Sequence, residues 1–198
     1  MPLNEYWALV TFAFVMAFTP GPNNIMLAAS GVNFGLARST AHMTGVVIGF
    51  AILVAACAAG LGLVFAALPS LQLALKIAGA LYMLWLAYKV ATAHQSEAED
   101  APPPKPLTFF QAALFQWINP KGLIAALSAV AIYVRPGYER QDVPNMLAIL
   151  TVVTLLSAVT WTAFGVGLRR LLRDPAHARI FNIAMAVLLV ASIVPMVM

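Results

Sequence analysis

Residues 19–24 read Thr-Pro-Gly-Pro-Asn-Asn, "TPGPNN", and they interrupt the first long apolar run of the chain. Prolines, a glycine and asparagines are what a surface turn uses. Yet "WALVTFAFVMAF" (7–18) precedes them and "IMLAASGV" (25–32) follows, with no charged residue from Tyr6 to Ala37. A membrane span needs about 20 apolar residues at roughly 1.5 Å rise each. The run is long enough, so the turn sits where hydrocarbon is expected.

The whole chain shares that character. Its 198 residues are 62% hydrophobic and only 9% charged, against about 25% charged in soluble domains. Uncharged runs also cover 39–75, 143–168 and 180–198. These point to an all-α integral membrane protein with six spans, at about 6–33, 41–67, 70–92, 108–134, 145–170 and 178–197. The turn signal Leu68-Pro69-Ser70 divides the second from the third. The start, Met1-Pro2-Leu3-Asn4-Glu5, lacks the basic region of a signal peptide, so the first run reads as part of the mature protein. A single cysteine, Cys57, excludes an internal disulfide and a cysteine-pair metal site. A net charge of +4, scattered along the chain, makes no nucleic-acid surface.

Basic residues set the orientation. Arg38, Lys89, Lys105, Arg169, Arg170, Arg173 and Arg179 fall on one side, and Lys76, Arg135 and Arg140 on the other. The positive-inside rule places the larger group in the cytoplasm and both termini outside. The segment "HQSEAEDAPPPKP" (94–106) then lies in a cytoplasmic linker over 93–107, between halves 1–92 and 108–198.

Those halves resemble each other. Thr19-Pro20-Gly21 recurs one hundred residues later as Asn119-Pro120-Lys121, each after an aromatic-rich segment; "GLGL" (60–63) recurs as "GVGL" (165–168), and "IAGALYMLWLA" (77–87) aligns with "IAMAVLLVASI" (183–193). Three matches in order suggest two three-helix repeats. An odd helix count per copy makes them inverted, with the first and fourth helices broken. Inverted repeats with breaks at corresponding positions point to a secondary transporter and to its binding site.

The breaks supply the chemistry. Proline has no N–H and clashes with the carbonyl four residues back, so Pro20, Pro22 and Pro120 release the carbonyls of Met16, Phe18 and Gln116. Irregular backbone at membrane depth survives only against protein or a water-filled cavity. Asn23 or Asn24 is expected to cap the half-helix that follows, whose free N–H groups favour anions. Acceptors and donors side by side suit a zwitterionic amino acid. Lys121 is an ionisable residue near mid-membrane, suited to a substrate carboxylate. The plainer reading is a lysine snorkelling to an interface. Candidate substrate-binding residues are thus Pro20, Gly21, Pro22, Asn23, Asn24, Asn119, Pro120 and Lys121.

Other residues read more blandly. Lys76 snorkels, His42 is a solvated interfacial histidine, and Trp85, Trp117 and Trp161 pack or form a belt. Gly45-xxx-Gly49 packs helices, within the fold or at a homo-oligomer seam. All seven acids fall outside the spans, leaving no intramembrane carboxylate to carry a proton or hold a second cation. No HExxH pair or Ser–His constellation marks an enzyme, and no G-x-x-x-x-G-K-[ST] loop marks ATP-driven transport. No cofactor is called for. A non-transporting accessory or structural subunit remains the alternative, although it leaves the paired breaks and Lys121 unexplained.

"FTPGPNNIMLAASGVNFG" (18–35), "HMTGVVIGF" (42–50), "LKIAGALYMLWLAYK" (75–89) and "FQWINPKG" (115–122) together resemble the LysE/RhtB superfamily of amino-acid exporters. The likeness runs over nearly the whole chain and is greatest to the cysteine/O-acetylserine exporter branch. It implies efflux of small neutral amino acids or derivatives (cysteine, O-acetylserine, threonine and homoserine are the type) across a bacterial inner membrane, driven by the proton-motive force. The family motif falls on Pro20, Gly21, Pro22, Asn23, Asn119, Pro120 and Lys121.

Overall fold

A computed structural model describes residues 1–92, 105–169, 172 and 174–194. Every regular element among them is helical. In chain order these are α1 (Leu3–Phe18), α2 (Pro22–Arg38), α3 (Thr40–Ala56), a π turn (Cys57–Leu61), α4 (Gly62–Ala67), α5 (Pro69–Ala91), α6 (Phe109–Phe115), α7 (Pro120–Tyr133), α8 (Glu139–Leu168) and α9 (Pro175–Ala191). The body of the 93–107 linker, Arg170, Arg173 and the Lys76 side chain lie outside the described residues.

Both breaks occur where the prolines require them. The 6–33 segment divides into α1 and α2 at residues 19–21, where Gly21 is fully extended (φ −167°, ψ 177°) and Pro22 opens α2. The 108–134 segment divides into α6 and α7. Residues 116–118 there tighten into turns with three-residue hydrogen bonds (Trp117 N–H to the Leu114 carbonyl, 3.1 Å), and Pro120 opens α7. Proline at the first helical position loses nothing, because that N–H has no partner within the helix. The 41–67 span is kinked at a π turn around Gly60 (φ 107°), a left-handed conformation that favours glycine.

Among the described residues, three helical stretches are long and apolar enough to cross a membrane: Thr40–Val64, Leu73–Ala91 and Glu139–Leu168. Leu3–Phe18 and Pro120–Tyr133 are shorter because of the breaks, and Pro175–Ala191 has 17 residues. The outer surface presents Phe14, Ile52, Leu81, Phe110, Ile132 and Val187, each more than half exposed. In water so wide an apolar surface is a liability, whereas lipid chains cover it without cost.

Inside, close backbone approach replaces large side chains. A Cβ on Gly31 would lie 2.0 Å from the Thr162 carbonyl oxygen, and one on Gly165 would lie 2.0 Å from that of Ala28. The α2 and α8 backbones therefore touch at a reciprocal glycine crossing. Gly45 and Gly49 face α6 in the same way: their added Cβ atoms would meet the Phe109 carbonyl oxygen at 2.4 Å and the Ala113 Cα at 2.5 Å. This corrects one expectation. The Gly45/Gly49 stripe is covered by α6 of the same chain, so it is not open to carry a homo-oligomer seam. Leu9, Leu53, Ala126 and Met146 fill the core between α1, α3, α7 and α8; Ile25, Met83, Phe115 and Leu189 fill that between α2, α5, α6 and α9.

The ends of α8 mark two ends of the bundle, about 45 Å apart at 1.5 Å per residue. At its last turn the Arg169 guanidinium lies beside Gly35 of α2. At its first turn the Asp142 carboxylate, completely buried, receives a two-pronged grip from Arg135: Nε to Oδ2 at 2.8 Å and Nη2 to Oδ1 at 2.8 Å, with Glu5 of α1 3.9 Å from the same guanidinium. That grip and the two acids in its first turn start α8 at Glu139, six residues before the expected 145. Glu5 in α1 and Glu139 and Asp142 in α8 thus belong to helices, against the expectation that every acid lies outside the spans.

Candidate functional site

The two breaks meet. Asn23, second residue of α2, and Gln116, just past α6, form a reciprocal amide pair: Asn23 Nδ2 donates to Gln116 Oε1 at 2.7 Å, and Gln116 Nε2 donates to Asn23 Oδ1 at 3.2 Å. Gln116 is fully buried and also donates to the Ala112 carbonyl at 2.8 Å. Across from this pair, the Lys121 Nζ donates to the Thr19 carbonyl. The second break's cation is therefore held by the first break's open backbone. Gly21 lacks a side chain for a local reason, since a Cβ there would lie 2.8 Å from Lys121 Cδ and 3.2 Å from its Nζ.

The asparagines do not cap. The residue before α2 is Gly21, which has no side chain to offer, and Pro22 fills the first helical position. Asn23 and Asn24 are carried one step too far into the helix to reach back to its free N–H groups. Asn24 instead turns towards the end of α1, donating to the carbonyls of Ala17 and Thr19, both at 2.9 Å. Ser157 of α8 donates to the Ala17 carbonyl at 2.7 Å. The carbonyls that gather side-chain donors are thus those of Ala17 and Thr19, where Met16 and Phe18 were expected. Proline frees a carbonyl four residues back, but the direction in which the unwound chain turns decides which one faces a donor.

Between the breaks lies a cavity of about 70 Å³. At roughly 10–15 Å³ per water-sized site it has room for some five to seven waters, so it suits a small ligand. Gly21, Pro22, Asn23, Asn24, Asn119 and Lys121 line it. Pro20 and Pro120 do not; they shape the breaks from behind. Missed at sequence level are Val46 and Phe50 of α3 and Thr154 and Ser157 of α8, which complete the wall. Hydroxyls four and seven residues along from Leu150 in an otherwise apolar span were the available signal.

The lining is chemically divided. Lys121 brings one cation, and no carboxylate lines the cavity. Asn119 is 2% exposed, and its Oδ1 has no partner among the described residues. A buried acceptor left unpaired costs about 1–3 kcal/mol, which a ligand N–H would recover. A cation and an unpaired acceptor in one small chamber match a ligand with both a carboxylate and an ammonium. The remaining wall is apolar or hydroxylic, so it suits a short neutral side chain.

The family model for the LysE type translocator matches residues 14–193. The chain is 32% identical over 190 residues to the cysteine/O-acetylserine efflux proteins of Escherichia coli (strain K12), Shigella flexneri and Shigella sonnei (strain Ss046). In each case the match covers 95% of this chain and 93% of the relative. No solved structure matches it.

Proposed function

Because this chain belongs to the LysE-type translocator family, a family of transporters and not of enzymes, we propose that it exports small neutral amino acids or their derivatives from the cytoplasm. Cysteine and O-acetylserine, the substrates in its relatives' name, are the first candidates. The observation that carries this reading is the meeting of two proline breaks around one cavity that holds a cation and an unpaired acceptor. The substrate carboxylate goes to Lys121 Nζ, displacing the Thr19 carbonyl as its partner. The ammonium goes to Asn119 Oδ1 and the broken backbone. Energy comes from the proton-motive force.

The helix pairings support two inverted repeats, 1–92 and 108–198. If α1, α2, α3 and α5 correspond to α6, α7, α8 and α9, then α3 with α8 and α5 with α9 are self-paired. The α3–α6 packing has α8–α1 as its mate, and the α2–α8 packing has α3–α7. These interfaces have their counterparts, although α2–α8 is much the closer of its pair and the α2–α9 packing has no comparable α5–α7 mate. Arg38 and Arg169 share one end of the bundle and Glu5, Arg135 and Asp142 the other, which supports a cytoplasmic linker end and external termini in a bacterial inner membrane. A reporter fused after Met198 that is active only in the cytoplasm would reverse this orientation.

Counterflow in proteoliposomes tests the function. Vesicles loaded with O-acetylserine should accumulate labelled cysteine, homoserine or threonine and should ignore lysine and glutamate. Lys121→Ala should weaken apparent affinity roughly ten- to hundredfold, the value of a charge-assisted hydrogen bond of about 1.5–3 kcal/mol. Amino-acid amides should lose little further on that substitution, because they lack the carboxylate. Absence of counterflow with every amino acid would leave the accessory-subunit reading.

A further inference from the structure

The helix that walls the cavity also carries a buried imidazole. His42, expected at a solvated interface, is 1% exposed, and neither ring nitrogen has a hydrogen-bond partner among the described residues. Desolvating two polar atoms without compensation costs free energy, and a purely apolar side chain would fit that place without the cost. Its position in α3 gives it a use. His42, Val46 and Phe50 are spaced i, i+4, i+8 and share one face of the helix. Val46 and Phe50 line the cavity. His42 therefore stands one turn beyond the cavity wall, about 6 Å along the axis at 1.5 Å per residue, towards the end of the bundle marked by Arg38 and Arg169.

We propose that His42 is the proton-binding residue that couples amino-acid export to proton entry. This rests on the reading of the chain as a proton-driven exporter. Imidazole is the side chain whose ordinary titration lies near neutral pH. The surroundings give its proton a consequence. Of the elements packed on α3, α6 brings no ionisable side chain, α2 brings the exposed Arg38, and the π turn brings Cys57. From α7 come Lys121 and Tyr133; from α8 come Glu139, Arg140 and Asp142, with Arg169 just beyond its end. The acids sit at the opposite end, where Asp142 is gripped by Arg135. Among the described residues, the elements packed on α3 thus bring no carboxylate to the His42 end of the helix, and the cavity already holds the Lys121 ammonium.

Like charges in a poorly solvated site disfavour one another. A substrate zwitterion leaves the net charge of the cavity at one positive, but it displaces the water that screens this charge from residue 42, and the same repulsion is stronger in the drier site. The protonated imidazole and the loaded cavity therefore exclude each other. The empty carrier takes a proton onto His42 from the external side. On facing the cytoplasm it releases that proton to water as the substrate binds, so one proton enters for each amino acid that leaves. Mutual exclusion of the two cargoes is what an exchanger needs.

The test uses the full chain in detergent and in proteoliposomes, with O-acetylserine as probe. Calorimetric titration in two buffers of different ionisation enthalpy counts protons released on binding. On binding, wild type should release protons, more of them as the pH is lowered, and His42→Gln should bind within a few fold of wild type and release none. In vesicles, His42→Gln should keep counterflow without a gradient and lose at least tenfold of the accumulation driven by a pH gradient. Full gradient-driven accumulation by His42→Gln, or binding to wild type without proton release, overturns the assignment. If wild type exchanges amino acids but ignores a pH gradient, proton coupling itself falls; if it exchanges none, the transport reading falls, and the assignment falls with either. Should His42→Gln not fold, His94→Gln/His177→Gln leaves His42 as the only imidazole for titration by nuclear magnetic resonance. There its pKa should drop on adding O-acetylserine, and an unmoved titration overturns the proposal.

Discussion

Replacing Gly21 by alanine places a methyl group where the structure has the lysine of the other break. The backbone at Gly21 is extended (φ −167°, ψ 177°), a conformation any residue adopts, so alanine introduces no backbone strain. The cost is local: the new Cβ would stand 2.8 Å from Lys121 Cδ and 3.2 Å from its Nζ. A carbon–carbon contact prefers about 3.5–4.0 Å, so the lysine must swing aside by several tenths of an ångström or more. Its stem is flexible and the fold survives, but the ammonium leaves the place where a carboxylate would meet it. Affinity should fall by up to the value of one charge-assisted hydrogen bond, about 1.5–3 kcal/mol or roughly ten- to hundredfold. The assay is the substrate dependence of counterflow for wild type, Gly21→Ala, Lys121→Ala and the double variant, each checked for normal thermal unfolding. Because Gly21→Ala acts through Lys121, the double variant should be no worse than Lys121→Ala alone. Losses that add would refute the reasoning, since the glycine would then matter for something other than the lysine.

Gly165→Ala forces a Cβ against the Ala28 carbonyl oxygen, an atom that no rotamer change can move. A cost near 3 kcal/mol for such overpacking, at about 2–4 °C per kcal/mol for a chain of this size, should lower Tm by roughly 6–12 °C; Gly167→Ala, with open space around it, is the control and should be neutral or stabilising. Pro20→Ala/Pro22→Ala removes the two residues that keep 19–22 out of a continuous helix. Because Pro20 lies in the break and Pro22 at the first helical position, where its missing N–H has no partner anyway, stability should stay near wild type while counterflow is abolished; wild-type transport in that variant would reduce the turn to a kink. Asp142→Asn removes the charge that Arg135 grips and should fray the first turn of α8, seen as faster amide exchange over 139–145 with the centre of the helix unchanged.

The sequence by itself determined the environment, the helices and the breaks. Apolar runs of span length with almost no charge leave a bilayer as the only solvent, and Pro22 and Pro120 must open helices because proline can do little else at those depths. It also singled out Lys121 as a candidate, because a cation within so apolar a run is costly. What it could not reach depends on which way each unwound segment turns. That Asn24 faces back to Ala17 and Thr19, that Asn23 pairs with Gln116 ninety-three residues away, and that Lys121 crosses to the other break are outcomes of docking α2 against α8 through Gly31 and Gly165. The same packing decided that Gly45 and Gly49 serve α6 and that His42 is sealed from solvent. Hydrophobic periodicity says that a helix has a buried face; in a chain apolar on every face it does not say which neighbour covers it. Only the tertiary structure assigns those partners, because close packing and hydrogen-bond satisfaction are properties of pairs of segments and not of either one alone.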